Sequence, residues 1–152
     1  MNPLDLLRYP TGKFVWPTAQ LSLKDKSKAL SILKDFPKLL KEEVNSLNEN
    51  QLRTPYREGG WTVAQVVHHL ADSHSHAYLR CKHALLEDTP KIKDYTESDW
   101  AKLDDASASD VSPSLSIIDG IHNRWVSLFS KLSSSQMVRI IILKVPKNTH
   151  YM

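Results

Sequence analysis

Glycine is scarce in this chain, with four residues in 152. Sheets and tight-turn folds draw on glycine wherever the backbone must turn left-handed, so its scarcity points to helices. Cys81 is the lone cysteine. An internal disulfide is therefore excluded, which suits a reducing compartment. Long apolar runs are missing too. The longest, within "RIIILKV", falls far short of the roughly 20 residues that cross a bilayer. The start, "MNPLDLLRYPTG", lacks the basic region and apolar core of a secretory signal. Together these absences predict a cytoplasmic protein without a membrane partner. The formal charge is only +3 and no Lys/Arg cluster forms, so no nucleic-acid partner is expected. No glycine-rich phosphate loop or glycine-flanked serine appears, which argues against nucleotide binding through such a loop and against a serine hydrolase.

What remains suits one globular domain over residues 1–152, 41% hydrophobic and 24% charged. Residues 1–21 read as an extended arm with Phe14 and Trp16 as apolar pegs. A first helix is expected from Ser22 to Leu47, where Leu30, Leu33, Pro37, Leu40, Val44 and Leu47 form one stripe. The stripe keeps phase across Pro37, so the helix should continue there with a kink. Residues 48–60 read as a polar loop.

A second helix starts with clear punctuation: Thr62 and Gln65 make a capping box, and Trp61 and Val66 a hydrophobic staple. It should run to Leu86, with Pro90 ending it. Residues 91–112 look irregular. A third helix follows from Pro113 to Leu132, capped by Ser112, with Leu115, Ile118, Ile121, Trp125, Leu128 and Leu132 as its stripe. The last sixteen residues fit no helix template, and "RIIILKV" suits a short strand. The count is three long helices and an irregular tail.

Five of the seven histidines crowd the second helix: His68, His69, His74, His76 and His83. His69, His76 and His83 share a face, yet successive members stand about 10.5 Å apart along the axis. Metal–nitrogen bonds are about 2 Å, so one metal cannot take all three. The spacing offers His69 or His68 with Asp72, or Asp72 with His76, and no two-histidine HxxxH. A catalytic metal generally needs three protein ligands, so the rest must come from another helix, where His122 is the candidate. The opposing reading makes His68 and His69 hydrogen-bonded interior residues, with His74, His76 and His83 solvated. Cys81 lies roughly 120° around the helix from His69 and reads as core. Trp61, Tyr78, Trp100 and Trp125 read as packing residues.

The segments "YPTGKF", "QLRTPYREGGWTVAQVVHHLADSH", "YLRCKHALLEDTPKIKDY", Trp100 and "IHNRWVSLFSKL" resemble, in order, the YfiT-type metal-dependent hydrolases. These belong to the DinB-like superfamily, which includes bacillithiol S-transferases. The resemblance covers about residues 9–139. It implies an all-α four-helix bundle holding a divalent metal, zinc or nickel, on three histidines, of which His69 is the first. The other two would come from an HxxxH-type pair on a fourth helix that follows a Tyr-His-Pro segment. The implied reaction is hydrolysis, or attack of a low-molecular-weight thiol on a small-molecule electrophile, with the metal stabilising the attacking anion.

Residues 140–152 diverge from that pattern and carry no such pair. The expected architecture is thus three helices of the bundle plus a tail, with two of three metal ligands absent and an apolar groove left open. A second copy of the chain could fill it, giving a homodimer. Asp72, one turn beyond His69, is placed by spacing to orient an imidazole or assist proton transfer. His68 and His122 are expected to line the pocket or to support a metal ligand from behind. The alternative function is a catalytically inactive, helix-binding paralogue.

Overall fold

Reciprocal caps set where the helices begin. Ser22 exchanges hydrogen bonds with Asp25, Asn48 with Gln51, and Thr62 with Gln65, each cap satisfying backbone donors that a helix start leaves free. The computed structural model describes residues 7, 9–13, 15 and 22–142. Among these run α1 (Leu23–Asn45), α2 (Glu49–Leu52), α3 (Val63–Leu86), α4 (Glu97–Trp100), α5 (Asp104–Ser107), α6 (Ser112–Ser130) and α7 (Ser134–Ile142). The polar loops expected at 48–60 and 91–112 therefore contain short helical turns. No strand forms among the described residues; Pro55 and Thr62 make an isolated bridge. No helix among them is long and apolar enough to cross a membrane. Phe14 and Trp16 of the expected arm lie outside the described residues.

α1 and α3 both pack on α6, and α7 packs on α3. One buried cluster joins Val44, Ala64, Val67 and Val111; another joins Tyr78, Cys81 and Trp125. Ile118, fully buried on α6, contributes about 1.5–3 kcal/mol by leaving water. The stripe of α6 keeps the expected apolar residues and adds two polar ones. Ser114, Ile118, His122 and Trp125 are buried, while Leu115, Ile121 and Leu128 flank them half-exposed. A hydropathy pattern passes over Ser114 and His122, which tolerate burial because their polar atoms find partners. The cap differs as well. Val111 occupies it, and the Ser112 N–H donates instead to Asp110 Oδ1 at 3.0 Å.

The expected strand at the C-terminal end is a correction. Arg139–Ile142 lie in α7, and residues 143–145 of the run are outside the described residues. Ser133 and Gln136 exchange bonds of 2.9 Å and 3.3 Å and so start a helix that β-propensity alone opposes. The Arg139 guanidinium then donates to the Ala84 and Glu87 carbonyls at 3.1 Å and 2.9 Å, satisfying the end of α3.

α1 runs unbroken through Pro37, as the stripe predicts. Proline has no N–H for the carbonyl four residues back, so the helix leaves the Leu33 oxygen unpaired. His122 Nδ1 reaches it at 2.6 Å from across the bundle. A carbonyl only accepts, so Nδ1 carries the proton and, in a neutral ring, Nε2 is an acceptor. His74 Nδ1 supplies the donor at 2.7 Å. Both tautomers follow from one missing N–H. Phe36 stacks on His122 with centroids 5.2 Å apart, and Trp125 lies edge-on to both imidazoles. Burial first, then His122 and His69, pulls His74 down to about 4, so it is neutral at pH 7.

Two outcomes follow. His122→Phe strands the Leu33 carbonyl and should cost about 1–3 kcal/mol in urea unfolding. Pro37→Ala gives that oxygen a helical N–H, so the same change should cost clearly less in that background; equal costs in both would sink the account. His74 is depressed from 6.5 to about 4 in the fold. Below about 6.5 the unfolded chain binds the proton first, so stability present above that pH is lost as pH falls toward 4. The urea midpoint of wild type should drop across this window more steeply than that of His74→Phe.

Candidate functional site

α3 sorts its polar residues by phase. Val67, Ala71, Tyr78 and Cys81 are buried, and His74 falls on the same stripe, so it turns inward. His74 was expected to be solvated under the opposing reading; it is half-buried and bonded to His122. Five residues earlier, and so about 140° around the helix, His69 faces away from that core. Asp72 and His76 accompany it, three and seven residues on.

The elements that frame this outward face are local. Between Thr54 and Val63 the chain makes a closed turn. Tyr56 N–H donates to the Trp61 carbonyl at 3.1 Å, Val63 N–H to the Thr54 carbonyl at 3.2 Å, and Gly60 N–H to the Arg57 carbonyl at 3.0 Å. Gly59 sits at φ 64°, where a side chain would be strained. A Cβ on Gly60 would lie 2.8 Å from Arg57 Cγ and 3.1 Å from the Arg57 carbonyl oxygen. The turn delivers the Trp61 ring to His69, with centroids 4.8 Å apart and planes tilted by 55°. On the other side, Gln65 Nε2 donates to the Ala101 carbonyl at 2.7 Å and ties the α4–α5 segment to the start of α3. That segment brings Tyr95 onto His76 at 4.5 Å, stacked at 24°, with Trp100 5.3 Å from the same imidazole.

The site is thus a face of α3 carrying His69, Asp72 and His76, walled by Trp61, Tyr95 and Trp100. Spacing alone reads Trp61 and Trp100 as packing residues and His76 as either solvated or paired with Asp72, and it singles out no role for Tyr95. Their juxtaposition depends on the turn and the α4–α5 segment, which carry no helical period. Burial, then the Asp105 carboxylate, pushes Asp72 above the ordinary carboxyl range, against the opposing pull of His69, His76 and His68. Burial pushes the Tyr95 phenol up to about 12, with Glu97 and Asp72 adding to it, so it stays protonated.

The histidines divide by their partners. His68 is buried, with Nδ1 2.7 Å from Ser114 Oγ and Nε2 3.1 Å from the Ala108 carbonyl. Nε2–H donates to the carbonyl and Nδ1 accepts from the hydroxyl, so both nitrogens are used within the fold. His122 is likewise spent on Leu33 and His74. His83 is exposed and bonded to Glu87. His69 and His76 make no hydrogen bond among the described residues, which leaves their ring nitrogens open to an outside partner. Cys81 is buried, and burial pushes its thiol up to about 11, so it is no nucleophile at neutral pH. A groove of about 680 Å³ between α1 and α6 holds none of the predicted site residues.

A divalent metal would find the His69 imidazole here, three residues before Asp72, with His76 seven residues on and stacked on Tyr95. No group of three or more His, Cys, Asp or Glu side chains converges to hold such an ion among the described residues. They fit one ligand of a metal centre and do not make the centre.

Residues 32–150 match the family described as the DinB superfamily. A Geobacillus thermodenitrificans protein named "Putative metal-dependent hydrolase" is 45% identical over 141 residues, covering 93% of this chain and 79% of its own. The similarly named YfiT of Bacillus subtilis is 44% identical over 133 residues, 88% of this chain and 74% of its own. The solved structure of Bacillus subtilis YfiT, described as a probable metal-dependent hydrolase with an unusual four-helix bundle topology, superposes with a TM-score of 0.83 at 43% identity. That match covers 86% of this chain and 74% of the YfiT chain. On the family match and on relatives this similar over most of both chains, the protein belongs to the DinB superfamily.

Proposed function

We propose that this protein is a metal-dependent hydrolase, or a thiol S-transferase, acting on a small electrophilic substrate at the α3 face. The observation that carries the reading is the contrast among the histidines. His68 and His122 spend both ring nitrogens inside the fold, whereas His69, near Asp72, makes no hydrogen bond among the described residues. The relatives' names supply the metal dependence. His69 is the residue that would hold zinc or nickel, with further donors drawn from outside residues 22–142. Bound there, the ion would lower the pKa of a water or thiol. Asp72, whose raised carboxyl binds a proton more readily than an ordinary one, accepts or returns a proton beside His69. Trp61 stands against His69 and Trp100 against His76, so both rings border the approach to this face.

A second reading has its own support. The described residues bring no three-donor group together, which suits a non-catalytic chain that binds a helix of a partner. Metal stoichiometry separates the two. The hydrolase reading expects about one zinc or nickel per chain after purification, lost in His69→Ala. Metal-free wild type that also fails to take up either ion would favour the second.

Asp72 offers a test of opposite sign for stability and activity. Its ionised form is disfavoured in the fold, so Asp72→Asn should raise the thermal midpoint at pH 7. The advantage should shrink as pH falls and the wild-type carboxyl takes up its proton. Ester or thioester turnover should drop by about 10²-fold if Asp72 handles the proton. A lower midpoint at pH 7 would contradict the assignment of a carboxylate whose ionised form the fold disfavours.

A further inference from the structure

Metal-ligating or catalytic imidazoles are commonly oriented by a hydrogen bond from the second ring nitrogen to a carbonyl or carboxylate. His69 has none among the described residues. Its defined neighbour is the Trp61 ring, 4.8 Å away and tilted by 55°. Trp61 is itself held from two directions. Its carbonyl accepts from Tyr56 N–H at 3.1 Å, and it directly precedes Thr62, whose side chain accepts from Gln65 N–H at 3.1 Å. Both glycines before it are needed by the turn, Gly59 for its φ of 64° and Gly60 for the space that a Cβ would contest with Arg57.

A half-buried indole on a backbone pinned on both sides is a fixed wall. An imidazole pressed on such a wall loses rotamer freedom before any ligand arrives, and preorganisation of this kind raises affinity without a new contact.

We propose that Trp61 is the positioning residue of the site: the 54–63 turn seats its ring so that His69 is held in one rotamer with its nitrogens free for a ligand. The part that concerns metal affinity rests on the reading of His69 as a ligand; the part that concerns the rotamer does not.

The test uses the full chain. In metal-free wild type, NMR should show the His69 ring protons shifted upfield by the indole, cross-peaks between the two rings, and χ1 couplings of a single rotamer. Trp61→Ala should remove the shift and average the couplings, and Trp61→Phe should keep both in reduced form. Trp61→Phe also serves as the guard against a simple loss of folding. A His69 averaged over rotamers in wild type, or still fixed in Trp61→Ala, overturns the proposal.

Titration with Ni²⁺ then reads the consequence. Trp61→Ala should weaken binding by about tenfold, the lower end of what losing an orienting partner costs, with Trp61→Phe restoring most of it. Binding abolished by His69→Ala but unchanged in Trp61→Ala overturns the positioning role while leaving the metal reading intact. Wild-type binding that His69→Ala does not alter sinks the metal reading, and the rotamer measurement still decides the role of Trp61.

Discussion

A single absent N–H organises the middle of this protein. Pro37 keeps α1 helical in outline and leaves the Leu33 carbonyl without its helical donor. Leaving this partly buried carbonyl unpaired would cost up to about 1–3 kcal/mol, a sizeable share of the roughly 5–15 kcal/mol by which domains stay folded. His122 closes the account from α6, and His74 on α3 completes it. The three long helices thus meet through one polar chain as well as through apolar contact. Because a carbonyl can only accept, a neutral His122 leaves that chain one arrangement of protons. It fixes the rotation of α3 and α6 about their axes in a way that interchangeable leucines would not.

The rotation of α3 is what creates the candidate site. Turning His74 inward sends His69, Asp72 and His76 outward, since the helix advances by about 100° per residue. The cap at Thr62 and the turn before it set where that rotation begins, and Gln65 links the cap to the Ala101 carbonyl. The same few residues that start α3 therefore also bring up both walls of its outer face.

The long helices were readable because each leaves a local mark. The capping box at Thr62, the end near Leu86 and the continuity through Pro37 need only neighbours a few residues apart. What was missed depends on pairing across the fold. His74 lies on the 67, 71, 78, 81 stripe, and that spacing is a signal available in the sequence, but hydropathy assigns an imidazole to water. Its burial makes sense only once His122 stands opposite. Ser114 is the same case, buried because His68 meets it. The helix at Ser134–Ile142 was missed for a different reason: three consecutive isoleucines point to a strand, whereas Ser133 and Gln136 cap a helix that places Arg139 against the end of α3. The wall of Tyr95 and Trp100 had no local mark at all, since it sits in a segment without period.

The histidines then separate into two kinds by an energetic criterion. An imidazole with both nitrogens bonded inside the fold must give up a bond before it can take a ligand, so His68 and His122 are poor candidates however close they lie. An imidazole without partners, half-exposed and held by an aromatic ring, loses nothing on binding beyond water. Among the described residues His69 satisfies that condition, and His76, stacked on Tyr95, satisfies it in part. Ligand capacity in this bundle follows from which polar atoms the fold has left unspent. Histidine count along α3, the feature that first draws attention, carries little of that information, because the same helix devotes some of its imidazoles to holding itself in place.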